Sequence, residues 1–296
     1  MDIIHQKRIW FSISGAIILI ALVMALLTGV NTGIDFTGGT LMEIELHQSV
    51  TTEEIREYMD NWDTGANVNF IGDNQTTVQI RTMVDMDHSQ RTLFFESLAE
   101  AFNLTDDDFL RTEQFGPAIG REIRDRAFLS MIIAAIGMLA YITFRFEFSF
   151  GIAAILALVH DILIVLSVYV IFRIPLNSPF VAAMLTVLGY SINDTIVVFD
   201  RIRENRKVMK KFDYEQLATD SINQTVTRSV YTSVTTLVTI VALYVLGVPQ
   251  IKEFALPLIA GIISGTYSSI FIASPLWVMI KEKGKDKKKM FAKASS

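Results

Sequence analysis

GYSINDTIVVFDRIREN, residues Gly189–Asn205, is the stretch whose reading decides the fold. It begins inside an apolar run and ends in a cluster of charges, which describes one helix carrying a polar patch into a membrane and leaving it on a basic side. Within the patch Tyr190, Ser191, Asn193 and Asp194 stand where a lipid-facing helix would have leucines. A carboxylate at such a depth costs about 2.5 to 3.5 kcal/mol on insertion scales, so it must face protein or water, and its presence marks function.

Outward from this helix the composition agrees. Apolar residues make up 51% of the 296, in blocks long enough to cross a hydrocarbon core of roughly 30 Å. The chain has no cysteine, which excludes a disulfide framework and a thiolate metal site. Neither a metal nor a cofactor is expected. Six spans are predicted: Ile9–Thr28, Ala127–Phe144, Phe148–Phe172, Phe180–Phe199, Val230–Leu246 and Phe254–Ile280. The first follows Lys7 and Arg8 and lacks a small-x-small cleavage site before Asn31, so it reads as a retained span rather than a leader. Arg201, Arg203, Arg206, Lys207, Lys210 and Lys211 follow span four, and the tail holds Lys281, Lys283, Lys285, Lys287, Lys288, Lys289 and Lys293. The positive-inside rule puts both groups, and both termini, in the cytoplasm. The chain thus divides into residues 1–29 with the first span, an outer domain at 30–126, spans two to six at 127–280 and a basic tail at 281–296.

The outer segment carries nineteen Asp and Glu against seven Arg and no Lys, a net charge of −12. Such a surface is chiefly solubilising, with guidance of a charged client as the alternative. Its elements are legible in order. Thr40–Gln48 alternates as a half-buried strand; Thr51, Thr52, Glu53 and Glu54 form a capping box opening a helix to about Trp62. Asn67–Ile71 and Thr76–Thr82 flank Gly72–Gln75 as a hairpin, Asp87–Asn103 is a second helix, and Phe109–Phe115 a last strand. The series β-α-β-β-α-β predicts a ferredoxin-like α+β domain. Two glycine-rich turns join it to the spans, one with Gly33, Asp35, Gly38 and Gly39, the other with Gly116 and Pro117. They read equally as simple turns or as hinges at the membrane boundary.

GIDFTGGT after span one, FGPAIG before span two, LVHD in span three, GYSINDTIVVFDRIREN in span four and GVPQIKEFALPLIAGIISGTYSSIFIASPLW at the sixth together resemble the SecF family, the smaller half of the bacterial SecD–SecF protein-export complex. The resemblance covers essentially the whole chain. It implies half of a resistance-nodulation-division-type bundle in the bacterial inner membrane, six spans packed against six of SecD about a pseudo-twofold axis. It further implies SecYEG, the translocating preprotein and YajC as partners, no nucleic acid, no enzymatic activity, and proton flow driving late stages of preprotein translocation. At the positions matching Asp194 and Arg228 the family carries residues implicated in proton-dependent export.

Read from the residues, Asp194 lies fourteen positions from Phe180, roughly 21 Å from the outer end of its helix at about 1.5 Å per residue. A carboxyl group in low dielectric is more easily protonated, and a nearby cation opposes this. Arg228 at the start of span five is that cation, and its stripe continues through Thr232, Thr235 and Thr239, a row of hydroxyls able to order water. Arg228 either pairs with Asp194 or snorkels to the headgroups. His160 and Asp161 are a second intramembrane polar pair, either a proton relay or an interhelical hydrogen-bond site. Gly261, Gly265 and Ser269, with Ala260, Ser264 and Ser268 beside them, form a small-residue stripe for helix packing. The expected mechanism is protonation of Asp194, weakened attraction to Arg228, and a tilt of the outer domain through its two turns.

Other classes are a proton-coupled transporter of small molecules or lipids, which drug sensitivity of a deletion strain would reveal, and a pure assembly subunit, for which an Asp194 variant behaves as wild type. An intramembrane aspartyl protease would need Asp161 and Asp194 to share a water from facing helices.

Overall fold

The computed structural model describes residues 3–71, 76–209 and 213–294. The expected hairpin turn Gly72–Gln75 and the basic residues Lys210 and Lys211 lie outside the described residues, as do the side chains of the tail lysines beyond Lys283. The chain runs through α1 (Lys7–Thr28), a single turn α2 (Ile34–Thr37), β1 (Gly39–Glu45), α3 (Thr52–Met59), β2 (Asn67–Ile71), β3 (Thr77–Thr82) and α4 (His88–Phe102). A 3-10 turn at Asp106–Asp108 leads to β4 (Phe109–Phe115), then α5 (Pro117–Arg145), α6 (Phe148–Ile171), α7 (Ser178–Val208), α8 (Tyr214–Leu246) and α9 (Pro249–Ser268). A π-helical segment, Ser269–Ala273, joins α9 to α10 (Ser274–Ala294). The chain forms two compact units, one of Met1–Asn31, Ser130–Ile174 and Pro179–Ser296, the other of Thr32–Leu129 and Pro175–Ser178.

The first unit holds six helical stretches long and apolar enough to span a membrane: α1, α5, α6, α7, α8 and the continuous run Ile251–Gly284. These are the six expected spans. Two of the helices start earlier than their apolar windows, α5 at Pro117 rather than Ala127 and α8 at Tyr214 rather than Val230. Hydropathy registers only the part in hydrocarbon, while the backbone ladder continues wherever helix-forming charged residues support it. The Glu122–Arg126 pair at 2.7 Å is one such support, four residues apart on α5.

Most of the buried positions fall on α6, α7 and the sixth span, and α1, α5 and α8 are largely exposed. Lipid tails are as apolar as leucine, so this packing rests on close fit and polar contacts rather than on the hydrophobic effect. At one end Phe150 of α6 stacks on Trp277 of α10 at 4.9 Å and meets Phe199 of α7 at 4.8 Å. On the sixth span Gly261 and Gly265 let α7 approach, since a Cβ on either would run into Val187 or Ser191. Ion pairs clamp the helix ends. Lys7 of α1 bonds Glu215 of α8 at 2.8 Å, and Glu147, before α6, bonds Arg206 of α7 at 2.5 Å and Lys281 of α10.

The second unit contains a four-stranded antiparallel sheet in the order β2-β3-β1-β4. With the connections β1-α3-β2 and β3-α4-β4 this is the ferredoxin-like arrangement. Met42, Ile44, Val68, Val78 and Ile80 of the sheet pack against Ile55 and Met59 of α3 and Phe94, Phe95 and Leu98 of α4. Both helices open on capping boxes, Thr51 with Glu54 and Asp87 with Gln90. Strand β1 differs from its sequence reading. It was expected to bury one face, and it buries both, because it lies between β3 and β4. Its outward Glu43 is covered by Gln79, which donates to it at 2.7 Å, and by Arg111 at 3.4 Å.

Candidate functional site

Asp194 projects from the middle of α7 into the bundle and is 3% exposed. Its polar neighbours come from α8 and α9. Ser233 donates to Asp194 Oδ2 at a long 3.4 Å and shares a 2.5 Å contact with Thr266. Ser229, one turn away on α8, is buried, and its hydroxyl and that of Thr266 lie near the carboxylate without a well-formed hydrogen bond to it among the described residues. The carboxylate, with four lone-pair sites, is therefore sparsely solvated by protein.

Of the two readings of Arg228, a direct ion pair with Asp194 is not made among the described residues. Arg228 is exposed and makes no salt bridge among the described residues, so its charge acts on Asp194 only through space. The expected stripe of Thr232, Thr235 and Thr239 is exposed as well, and each hydroxyl bonds back to its own helix, Thr232 to the Arg228 carbonyl at 2.9 Å. The inward row is Ser221, Thr225, Ser229 and Ser233, one position further along. Sequence periodicity gives the spacing of a helical row. It does not give the row's phase, and a shift of one residue turns the face by about 100°. Asn193 likewise falls on the exposed side of α7, while Tyr190 reaches α8, its hydroxyl 3.2 Å from Thr236.

The second polar pair is far more elaborate than the sequence suggested. Asp161 is fully buried and sits among four donors. Its Oδ1 receives Ser264 at 2.7 Å and faces His160 Nδ1 at 3.2 Å; its Oδ2 receives Ser191 at 2.5 Å and Ser268 at 2.8 Å. The other ring nitrogen, His160 Nε2, lies 2.8 Å from Ser14 of α1. Ser14 lies 3.3 Å from the Tyr267 hydroxyl, which donates to the Trp10 carbonyl at 2.9 Å. Four helices meet here. Ser264 and Ser268 were read as packing residues, and they are donors to the carboxylate. The signal available was their i,i+4 spacing, which puts two hydroxyls on one helix face, but nothing in the sequence says that Asp161 faces them. Among the described residues Asp161 and Asp194 have no side-chain hydrogen-bond partner in common.

The glycine-rich turns belong wholly to the second unit. Gly38 and Gly39 have φ of 80° and 129°, and a Cβ on them would strike Pro117 and the Thr82 carbonyl. Gly33 donates its N–H to the Leu176 carbonyl at 2.6 Å, and Asp35 accepts the Ser178 N–H at 2.5 Å, capping the N-terminus of α7. At Gly116 a Cβ would make only an ordinary contact with Asp85 at 3.8 Å, and Pro117 opens α5. Both stretches are thus tightly packed turns, with contacts that a hinge motion at these residues would have to break. The chain passes between units at 31/32, 129/130, 174/175 and 178/179, outside both stretches.

Six spans, with an α+β domain inserted after the first, define a multi-pass membrane protein whose bundle buries carboxylates. A family profile described as "Protein export membrane protein SecD/SecF, C-terminal" matches residues 96–283, and the "SecD/SecF GG Motif" matches residues 26–50. Protein translocase subunit SecF of Petrotoga mobilis is 38% identical over 97% of this chain and 99% of its own, and that of Desulfurispirillum indicum 39% identical over 90% and 87%. The crystal structure of SecDF from Thermus thermophilus superposes with a TM-score of 0.87 at 35% identity, over 95% of this chain and 39% of that one. This chain belongs to the SecD/SecF family of protein-export membrane proteins. Its role is in protein export.

Proposed function

We propose that this chain, paired with SecD, uses the proton motive force to drive late stages of preprotein translocation through SecYEG, with YajC as an accessory partner. Its setting is the bacterial inner membrane, with both termini in the cytoplasm. Partnership with SecD is supported by the Thermus thermophilus SecDF polypeptide, of which this chain covers 35% at 39% identity. The observation that carries the reading is Asp194 itself, a buried carboxylate in mid-bundle with hydroxyls as its near polar neighbours and no ion pair among the described residues.

A group so placed can take up and release a proton without dismantling a hydrogen-bond network. Protonation removes the attraction of Arg228 and lets α7 and α8 shift, with Ser229 and Ser233 as the hydroxyls that exchange partners. One elementary charge moved through 100 mV is worth about 2.3 kcal/mol, roughly a fortyfold change in a two-state ratio. The motion reaches the outer domain through α1 and α5, the connections at 31/32 and 129/130. The test is proton-motive-force-dependent completion of preprotein export in inverted membrane vesicles carrying Asp194→Asn or Arg228→Met at normal abundance. Loss of the proton-dependent increment in both is expected. Wild-type export from Asp194→Asn would sink the proposal.

A further inference from the structure

We propose that the groove between α3 and α4 of the outer domain is a docking site for an extended segment of the preprotein, one in which a basic residue stands beside an apolar one. The groove has a volume of about 370 Å³ and is lined by Glu57, Tyr58, Asn61, Trp62, Leu93 and Ser97. Helical spacing builds its walls. Glu57 and Asn61 stand four residues apart on α3 and the turn that continues it, as do Tyr58 and Trp62, so all four share one face. Leu93 and Ser97 have the same spacing on α4.

The lining combines stiff apolar walls with unspent polar groups. Tyr58 and Trp62 pack their ring bodies against the core beneath the groove, and Tyr58 lies 6.0 Å from the ring of Phe102. Their polar atoms remain accessible, and among the described residues the side chains of Glu57, Tyr58, Asn61 and Trp62 make no hydrogen bond or ion pair. Leu93, 57% exposed, gives the opposite wall an apolar surface, while Ser97 spends its hydroxyl on the Phe94 carbonyl at 2.6 Å. This combination fits an unfolded chain. A backbone crossing the groove brings N–H and C=O groups that have no partners of their own, and the Asn61 amide meets them with donors and an acceptor at once. A folded protein has already paired those groups. An apolar side chain of the segment lies against Leu93 and the two rings.

Charge selects among such chains. Helices α3 and α4, with Asp60, hold six carboxylates against two guanidiniums, and one of the latter, Arg91, is turned to Gln114 of β4. Glu54 is held by the Thr51 cap, whereas Glu57 is exposed and lines the groove. A Lys or Arg beside the apolar residue meets Glu57 and lies over the face of Tyr58 or Trp62. An acidic segment is repelled. The exported chain is the occupant because the outer domain, in the orientation proposed above, stands on the side where unfolded polypeptide emerges. That choice of occupant rests on the proposed export role; the preference of the groove for basic, apolar chain does not.

The test uses the full chain in phosphatidylcholine nanodiscs and a short Gly/Ser peptide carrying Leu–Lys pairs, with Leu–Glu and Ser–Lys peptides as controls. Trp62 is the probe, since the other tryptophans, Trp10 and Trp277, belong to the first unit. The Leu–Lys peptide is expected to shield Trp62 from quenching by acrylamide, less so as salt is raised, and to bind about tenfold or more tightly than either control. Glu57→Lys, at an exposed position, should weaken it about tenfold and Leu93→Ser about three- to tenfold. Absence of shielding, or equal shielding by the Leu–Glu peptide, overturns the proposal without any substitution. Binding indifferent to both variants overturns it too. In membrane vesicles a photo-crosslinker at position 93 should capture a radiolabelled preprotein arrested during export, and one at Leu110, exposed on β4, should not; equal capture from both positions overturns the groove as the site. Asp194→Asn should leave peptide shielding unchanged, which separates failure here from failure of the Asp194 mechanism.

Discussion

Two aspartates sit in this bundle with opposite surroundings. Asp161 is held by three serine hydroxyls within 2.8 Å with an imidazole nitrogen at 3.2 Å, while Asp194 has Ser233 at a long 3.4 Å with the hydroxyls of Ser229 and Thr266 beside it. A carboxylate saturated with donors is fixed in place, since protonating it would turn an acceptor into a donor facing other donors. A carboxylate with free lone pairs can change charge at small structural expense. Burial alone therefore does not fix how a carboxylate behaves, and the proposed coupling role of Asp194 rests on this difference in surroundings.

The sharpest way to break this comparison is to remove each carboxylate in turn. Asp161→Ala strands four donors and is expected to destabilise the folded chain by about 3 to 5 kcal/mol, read as the denaturation midpoint in detergent. Asp194→Asn should change that midpoint by less than about 1 kcal/mol and abolish proton-dependent export. If the two midpoints fall equally, the contrast between the two sites is wrong.

Single hydroxyls sharpen the same contrast. Ser264→Ala and Ser268→Ala each remove a bond to a charged acceptor and should cost about 1.5 to 3 kcal/mol, whereas Ser233→Ala, with its long contact, should cost about 0.5 kcal/mol. Asn193→Ala, on the exposed side of α7, is expected to stay within about 0.5 kcal/mol of wild type and to export normally. The smallest effect belongs to Glu147 at the helix ends. Desolvation pushes its carboxyl up, but hydrogen bonds and charges from Lys281 and Arg206 outweigh this and hold it below the usual glutamate value. A depressed carboxyl contributes stability at neutral pH that is lost as pH falls below about 4.3 and through the folded value. The side chain is half exposed, so the contribution is about 0.5 kcal/mol or less, visible as a small acid-dependent difference between wild type and Glu147→Gln.

Much of the molecule is legible in one dimension. The six spans follow from hydrophobic length, and the outer domain from alternation, capping boxes and turn residues. That Asp194 would be buried followed from the cost of putting a carboxylate in hydrocarbon. Arg228 shows where such reading stops, because its spacing to Thr232, Thr235 and Thr239 was right while the face it shares with them points outward. The glycine turns show the same limit. Their residue types indicate unusual dihedrals, but the contacts they make with Thr82, Pro117 and the Leu176–Ser178 loop come only from the tertiary structure.

The sequence by itself determined that this chain crosses a membrane six times, carries an α+β domain after its first span, and buries two acids. Tertiary structure decided which hydroxyls those acids meet, because Ser14, Ser191, Ser264, Ser268 and Tyr267 come from three different helices around His160 and Asp161. The physical reason is one of range. Hydrophobicity and backbone dihedrals act between near neighbours in the chain, whereas the solvation of a buried charge is supplied by whichever side chains the packing of distant helices brings to it.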